Sequence, residues 1–160
     1  MAQAPAQIKE IERIVDQLQR ACNGEAWHGP SLMESLQGVD AQTAAAKPLA
    51  NAHSIWEIVN HVSAWEDAIR HRLAGEVKQL EGPADWPPVA DTSEAAWKIT
   101  LDTFKRNHSD LVKAISTMPE HRLLAIVPGK KYDFYHLLHG AVQHELYHAG
   151  QIALLKKARK

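Results

Sequence analysis

The sequence has almost no cysteine, and this absence excludes two kinds of stabilising site. Cys22 is the only cysteine among the 160 residues. A single thiol cannot form a disulfide within the chain, and it cannot surround a metal ion with several thiolates. Neither a disulfide framework nor a thiolate cage is therefore available to this protein.

An excess of charge of either sign is also absent. The 18 lysines and arginines nearly balance the 19 aspartates and glutamates, which gives a formal net charge of −1. The one short basic run lies at the end of the chain, where cations suit the C-terminus of a helix. Without a basic field to attract phosphates, we expect no nucleic-acid partner.

Long hydrophobic runs are missing as well. No segment approaches the roughly 20 apolar residues that cross a bilayer, and the first residues lack the apolar core of a signal peptide. We therefore expect a cytoplasmic protein without a membrane partner. Hydrophobic residues still make up 45% of the chain, and its 160 residues suit one domain, predicted over residues 1–160.

Apolar residues recur at three- and four-residue steps along much of the chain, a spacing that is typical of amphipathic helices. Ser54 and Glu57 form a capping box before one such pattern, and Asp133 can cap another. The sequence predicts four long helices: from Pro5 to about Ala21, from the Ser54 cap to Gly75, from an Asp91 or Thr92 cap to the residue before Pro119, and from Asp133 through Leu155.

The segments between these helices contain the glycines and prolines. A broken region covers residues 25–52 and includes a predicted short helix between Ser31 and Gly38, and residues 76–91 form a loop. Residues 123–127 are predicted to be extended. Strand patterns and long repeats are otherwise absent, so the predicted fold is all-α, an antiparallel four-helix bundle with longer connections. Such bundles usually hold metals and cofactors in their cores.

Histidine is the unusual residue, with ten copies. His144 and His148 are four residues apart on the last helix, so both rings emerge on one face and can reach one ion at about 2.0–2.1 Å. His61 lies at the edge of the apolar stripe of the second long helix and is the predicted third ligand. His53 and His108 are predicted to lie outside the site, His108 on the surface.

Two other metal chemistries fit the same residues less well. His144-Glu-Leu-Tyr-His148 matches the H-E-x-x-H helix of zinc proteases, but no His, Asp or Glu follows it to provide a third ligand. Glu145-x-x-His148 also matches a di-iron element, whose second copy would have to be Glu25-Ala-Trp-His28 in the broken region. We therefore prefer a mononuclear site.

Three segments together resemble the DinB/YfiT-like superfamily, and the resemblance covers nearly the whole chain. They are Gln143-His-Glu-Leu-Tyr-His-Ala-Gly-Gln151, Ile58-Val-Asn-His61-Val, and Glu25-Ala-Trp-His-Gly-Pro-Ser-Leu32. The last is similar to one bacterial branch. The resemblance implies a four-helix bundle, often a homodimer, in which His61, His144 and His148 hold a divalent ion of the zinc or nickel type.

Characterised members of that family include thiol-dependent S-transferases and a mycothiol-dependent isomerase. The resemblance therefore implies a metal-dependent enzyme of thiol transfer or hydrolysis that acts on a small molecule, with a low-molecular-weight thiol as a candidate cofactor. The alternative is a non-catalytic bundle in which the metal is structural or absent. An open fourth ligand position favours the enzyme.

Further residues are candidates for supporting roles. Glu145 is a candidate buried base or a hydrogen-bonded core residue, and Gln151 can orient a ligand or form a helix–helix hydrogen bond. Trp27 and His28 are predicted to line the mouth of the pocket and to bind the cofactor. Cys22, at the end of the first helix, is predicted to lie too far away to close the site.

Overall fold

The computed structural model describes residues 9–158, and within this range the chain is helical. It contains six α-helices: α1 (Glu10–Asn23), α2 (Leu32–Ser35), α3 (Ala41–Ala45), α4 (Ile55–Leu73), α5 (Glu94–Ser116) and α6 (Phe134–Ala158). Two short 3-10 helices, Gly82–Ala84 and Glu120–Leu124, lie in the connections before α5 and α6. The four long helices confirm the predicted all-α bundle.

The long helices pack on one another through their apolar faces. Helix α4 packs against α5 and α6, and α1 packs against the same two helices. The short helices α2 and α3 cover one end of this arrangement, α2 against α6 and α3 against α4 and α5. Two clusters of buried side chains result, one around Val59, Phe104 and Ile152 and another around Leu18, Leu111 and Leu138.

Helix α4, which carries His61, begins where the sequence predicts. Ser54 Oγ accepts a hydrogen bond from the backbone N–H of Glu57, and a Glu57 carboxylate oxygen accepts one from the backbone N–H of Ser54. Both bonds satisfy amide groups that a helix start leaves without partners. Asp133 likewise accepts a hydrogen bond from His136 N at the start of α6. The predicted caps of the two site-bearing helices are thus confirmed.

The predicted bounds of other elements differ from the structure. Helix α5 is capped by Ser93, whose hydroxyl accepts a hydrogen bond from Ala96 N, instead of by Asp91 or Thr92. Asp91 accepts a hydrogen bond from Ser93 N and so supports the turn before the cap. Helix α1 continues to Asn23, two residues beyond the predicted end. The predicted start at Pro5 lies outside the described residues.

Two connections contain structure that the sequence patterns do not indicate. The region 25–52 includes the predicted short helix α2, but also α3, which is capped by Asp40 through a hydrogen bond from Thr43 N. The segment 123–127 is not extended throughout, since Glu120–Leu124 is a 3-10 helix. Only Ile126 forms a bridge, antiparallel to Asp133.

Several polar side chains are buried in this apolar interior. They include His61 on α4, His108 on α5, and Glu145 and His148 on α6. Burial of such groups is costly unless they have partners or bind a ligand. In residues 9–158, no helix has the length and apolar character needed to cross a bilayer.

Candidate metal centre

Three histidines converge where α4 meets α6. His61 Nε2 lies 3.0 Å from His144 Nε2, and His148 Nε2 lies 3.1 Å from the same atom. The candidate ligand atoms of all three residues lie within 4.8 Å of one another. The four-residue spacing on α6 brings His144 and His148 to one face, and α4 contributes His61 from across the bundle.

The other ring nitrogens of two of these histidines have fixed partners. His61 Nδ1 lies 2.8 Å from the backbone carbonyl oxygen of Asp85, which can only accept a hydrogen bond, and 3.1 Å from Asp85 Oδ1. His148 Nδ1 lies 2.7 Å from Gln151 Oε1. Each Nδ1 therefore carries the proton and donates it, and each Nε2 presents a lone pair toward the centre.

The protein environment keeps all three imidazoles neutral. Burial and the neighbouring His148 and His61 lower the pKa of His144 to about 3. Burial lowers the pKa of His148 to about 4, although its hydrogen bond with Gln151 opposes this shift. Burial also lowers the pKa of His61, against the opposing contacts with Asp85. Neutral imidazole is the form that coordinates a metal ion.

The arrangement fits a divalent metal ion. His144 Nε2 can donate a hydrogen bond to only one of its two neighbours at a time, so at least one buried lone pair stays without a donor. Nitrogens about 2.0–2.1 Å from an ion lie about 2.9–3.4 Å apart, from right-angle to tetrahedral geometry. The observed separations of 3.0 and 3.1 Å fall in this range.

An aromatic wall holds the His61 side of the centre. The Trp86 ring stacks on His61 with 3.9 Å between ring centroids, and His53 stacks on Trp86 at 3.6 Å. Trp65 Nε1 donates a hydrogen bond to Asp85 Oδ1 at 2.8 Å. The loop residue Asp85 is thereby held in place, and it in turn holds His61 in one orientation.

A cavity of about 360 Å³ opens beside the histidines. His61 and His144 lie in its wall, and most of the remaining lining is apolar or aromatic. The other lining residues are Trp65, Ile69, Asp85, Tyr132, His136, Leu137, Gly140 and Ala141. This combination of an apolar cavity with a few converging polar groups is the usual character of a small-molecule site.

The structure brings some of the predicted site residues together and leaves others apart. His61, His144 and His148 form the centre, and Gln151 contacts His148 directly. Glu145 does not line the cavity and lies with Cys22 and His108 instead.

The loop residues Trp27 and His28 are exposed, and neither lines the cavity. The structure therefore does not bring them to the predicted pocket mouth. The loop that reaches the histidines comes from residues 76–93, which contain Asp85 and Trp86.

Two histidines lie in environments that differ from their predicted ones. His53 joins the aromatic stack on Trp86, and His108 is buried, with only 5% of its surface exposed. Sequence reasoning also misses Asp85, Trp86 and Trp65. For Asp85 and Trp86, the only indication in the sequence is that an acidic and an aromatic residue stand side by side between Pro83 and Pro87. They lie in a loop, where helical periodicity gives no information.

The chain belongs to the DinB superfamily. A family model described by that name matches residues 26–152, well over half of the chain, and the matched range contains all three histidines. Searches of curated proteins and of solved structures gave no significant match.

Proposed function

We propose that this protein is a divalent-metal-dependent enzyme that performs thiol transfer or hydrolysis on a small molecule. The observation that carries the proposal is the convergence of three neutral imidazoles beside a cavity, with two of them in its wall. His61 and His144 line that cavity, and His148 completes the group from α6. Among the described residues this group has three members, so a bound ion would have a fourth coordination position for a small molecule.

The ligand set determines what chemistry the centre offers. Three neutral nitrogens would leave the full double charge of a zinc- or nickel-type ion uncompensated, and an anionic small molecule would therefore be favoured as the fourth ligand. When bound, such an ion lowers the pKa of a coordinated water or thiol, which makes it a nucleophile near neutral pH.

The chain's own residues orient the histidine rings and determine which kind of substrate fits the cavity. Asp85 and Gln151 hold the rings of His61 and His148 through their Nδ1 protons. The apolar wall that includes Ile69 and Leu137 excludes water and suits a substrate with an apolar portion. His136 adds a polar ring nitrogen to the same cavity, where it can contact a polar group of that substrate.

An external thiol is the favoured nucleophile. Thiolates match the borderline-soft character of zinc better than oxygen ligands do. Cys22, the chain's only thiol, lies in a different buried cluster, together with His108 and Glu145. A thiol that reaches the cavity must therefore come from another molecule.

Cobalt substitution in a Cys22→Ser variant tests this proposal. The variant contains no protein thiol, so a thiolate-to-cobalt charge-transfer band in the near ultraviolet must arise from an added low-molecular-weight thiol. We expect such a band, and we expect His144→Ala in the same background to abolish it. Turnover of thiol acceptors and of activated esters or amides is measured on the zinc- and nickel-loaded proteins.

The results separate the competing functions. A thiolate band together with transfer activity supports thiol transfer, whereas ester or amide turnover without a band supports hydrolysis. If the loaded protein gives neither, the proposed enzyme function is wrong, and a structural metal in a non-catalytic bundle explains the three histidines.

A further inference from the structure

A second group of potential metal ligands lies inside the bundle. Cys22 on α1, His108 on α5 and Glu145 on α6 have candidate ligand atoms within 4.8 Å of one another. All three side chains are buried, with 1%, 5% and 1% of their surfaces exposed, respectively. We propose that Cys22, His108 and Glu145 form a second metal site, which takes a zinc-type divalent cation.

The hydrogen bonds within this group leave too many polar atoms without partners. Both carboxylate oxygens of Glu145, Nε2 of His108 and Oε2 of Glu66 are buried and have no hydrogen-bond partner among the described residues. Glu145 Oε1 lies 3.5 Å from His108 Nδ1, but without the geometry of a hydrogen bond. Buried carboxylates without donors are costly, and a bound cation satisfies them directly.

Glu66 acts as the orienting residue of this site. One of its oxygens lies 2.7 Å from His108 Nδ1, so that nitrogen donates its proton to the carboxylate. Nε2, which has no hydrogen-bond partner in residues 9–158, is then the ring nitrogen that remains available to an ion. Histidine ligands of metals commonly have such a carboxylate on their other nitrogen, which fixes the ring and makes it a stronger donor.

The mixed donor set indicates the kind of cation. Zinc accepts cysteine sulfur, histidine nitrogen and carboxylate oxygen, whereas calcium and magnesium require oxygen ligands. Among the ligands, the thiolate and the Glu145 carboxylate compensate the two positive charges of a dication, which suits the low-dielectric interior. The three-histidine centre lacks this charge compensation, so the two sites differ in the ligands that they favour.

Binding requires the release of protons. Burial raises the pKa of the Cys22 thiol to about 12, so the sulfur stays protonated in the absence of a cation. Burial alone would lower the pKa of His108, but its contacts with Cys22, Glu145 and Glu66 raise it to about 12. A divalent cation therefore displaces the thiol proton and one imidazolium proton, and both pass to solvent.

A cation can reach this cluster from the surface. A groove of about 250 Å³ is lined by Cys22 and His108 together with exposed residues of α1 and α5, which include Asn23 and Ser109. The three-histidine cavity contains neither Cys22 nor His108 in its wall. The two sites thus have separate approaches, and each can be loaded without the other.

The single cysteine makes the test direct. The metal-free protein, kept reduced with a phosphine that contains no thiol, is titrated with cobalt at pH 8. We expect two cobalt ions per chain and a thiolate-to-cobalt band that can arise only from Cys22. In a His61→Ala/His148→Ala variant we expect one cobalt per chain and an unchanged band, because those substitutions leave the second cluster intact.

Two further variants serve as controls. Cys22→Ser should remove the band and one equivalent of cobalt, and Glu145→Gln should weaken this binding at least tenfold, while Glu81→Gln, an exposed glutamate, should have no effect. The proposal fails if the wild type shows no thiolate band. It also fails if the His61→Ala/His148→Ala variant loses the band, since Cys22 would then bind at the three-histidine centre. Both decisive measurements stand even if Cys22→Ser does not fold.

Discussion

Two consecutive residues of α6 belong to two different polar clusters. His144 lies with His61 and His148 beside the cavity, while Glu145 lies with Cys22 and His108 in the interior. A helix rotates by about 100° per residue, so neighbours in sequence point to different surroundings. In the first cluster the imidazoles are already neutral, and in the second Cys22 and His108 carry protons that a metal must displace. Adjacent residues of α6 thus lie in two different electrostatic environments.

The pKa shifts express this difference. Burial lowers the pKa of His144 and of His148, and their neighbours provide little negative charge to oppose this shift. The pKa of His108 is raised because, despite burial, it lies against Cys22 and two carboxylates. Burial raises the pKa of Glu66 to about 8, although its hydrogen bond with His108 opposes the shift. Burial therefore acts in both clusters, and the partners decide the sign of the histidine shift.

The largest effect is expected when ligands of one cluster are removed. His61→Ala, His144→Ala or His148→Ala should each weaken metal binding at the three-histidine centre by more than about 100-fold, beyond the loss typical of orienting residues. Elemental analysis after dialysis against a weak chelator measures the remaining metal.

Glu145→Gln provides the matched change on the same helix. It should leave the three-histidine centre loaded, since Glu145 does not line that cavity. Full occupancy in the His61→Ala protein would show that the third ligand is a different residue.

The second-largest effect is expected in the pH dependence of metal affinity, which should differ between the two clusters. The pKa values of His144 and His148 lie at about 3 and about 4, so above pH 5 protons do not compete for these nitrogens. The pKa of His61 is lowered as well, so metal affinity at the three-histidine centre should fall at a lower pH than the pKa of an ordinary histidine would give. Free histidines, with a pKa of about 6.5, would lose the metal at a higher pH.

The second cluster should behave in the opposite way over the same range. Cys22 and His108 each have a pKa of about 12 and must lose protons to bind. Because two protons are released for each cation, affinity should rise by about 100-fold for each pH unit between 6 and 8. Competition with a metal-binding dye, in the Cys22→Ser and the His61→Ala/His148→Ala proteins separately, measures both profiles. A common profile with a midpoint near 6.5 would contradict the difference between the clusters.

The sequence predicts the three-histidine centre because its geometry follows from periodicity. The four-residue step from His144 to His148 and the apolar stripe beside His61 are visible in the chain itself. The same periodicity places His108 on the stripe with Phe104 and Leu111, yet its neighbours Asn107 and Ser109 are polar and suggest a surface position. The burial of His108 could therefore be predicted from the sequence, but only if helical spacing is given more weight than the polarity of the adjacent residues.

The remaining features depend on tertiary contacts that no local pattern encodes. Asp85 and Trp86 reach His61 from an irregular loop, where neither a helical nor a strand period applies. Whether a loop side chain covers a site depends on the path of the loop between α4 and α5. Trp27 is the opposite case, because this aromatic loop residue is predicted to line the pocket but is exposed to solvent.

A smaller effect is expected from the residue that orients His148. Gln151→Ala removes the oxygen that accepts the His148 Nδ1 proton at 2.7 Å, while leaving all three ligands in place. Metal affinity at this centre should fall by about 10- to 100-fold, and cobalt binding at the second cluster should not change. Gln143→Ala, an exposed substitution on the same helix, is the matched control. An affinity loss no larger than that of the control would remove Gln151 from the site.

The smallest effect is expected from the residues that sequence reasoning assigns to the pocket mouth. Trp27 is fully exposed, and neither Trp27 nor His28 lines the cavity, so Trp27→Ala and His28→Ala should change metal affinity and thiol binding by no more than about twofold.

Trp86→Ala should weaken both more strongly, because it removes the ring that stacks on His61 at 3.9 Å and frees the loop around Asp85. Titration of cobalt-loaded Cys22→Ser protein with a low-molecular-weight thiol compares these substitutions in one background. A large loss of thiol affinity in Trp27→Ala, with metal affinity unchanged, would show that the segment of residues 25–30 folds over the cavity when a thiol binds.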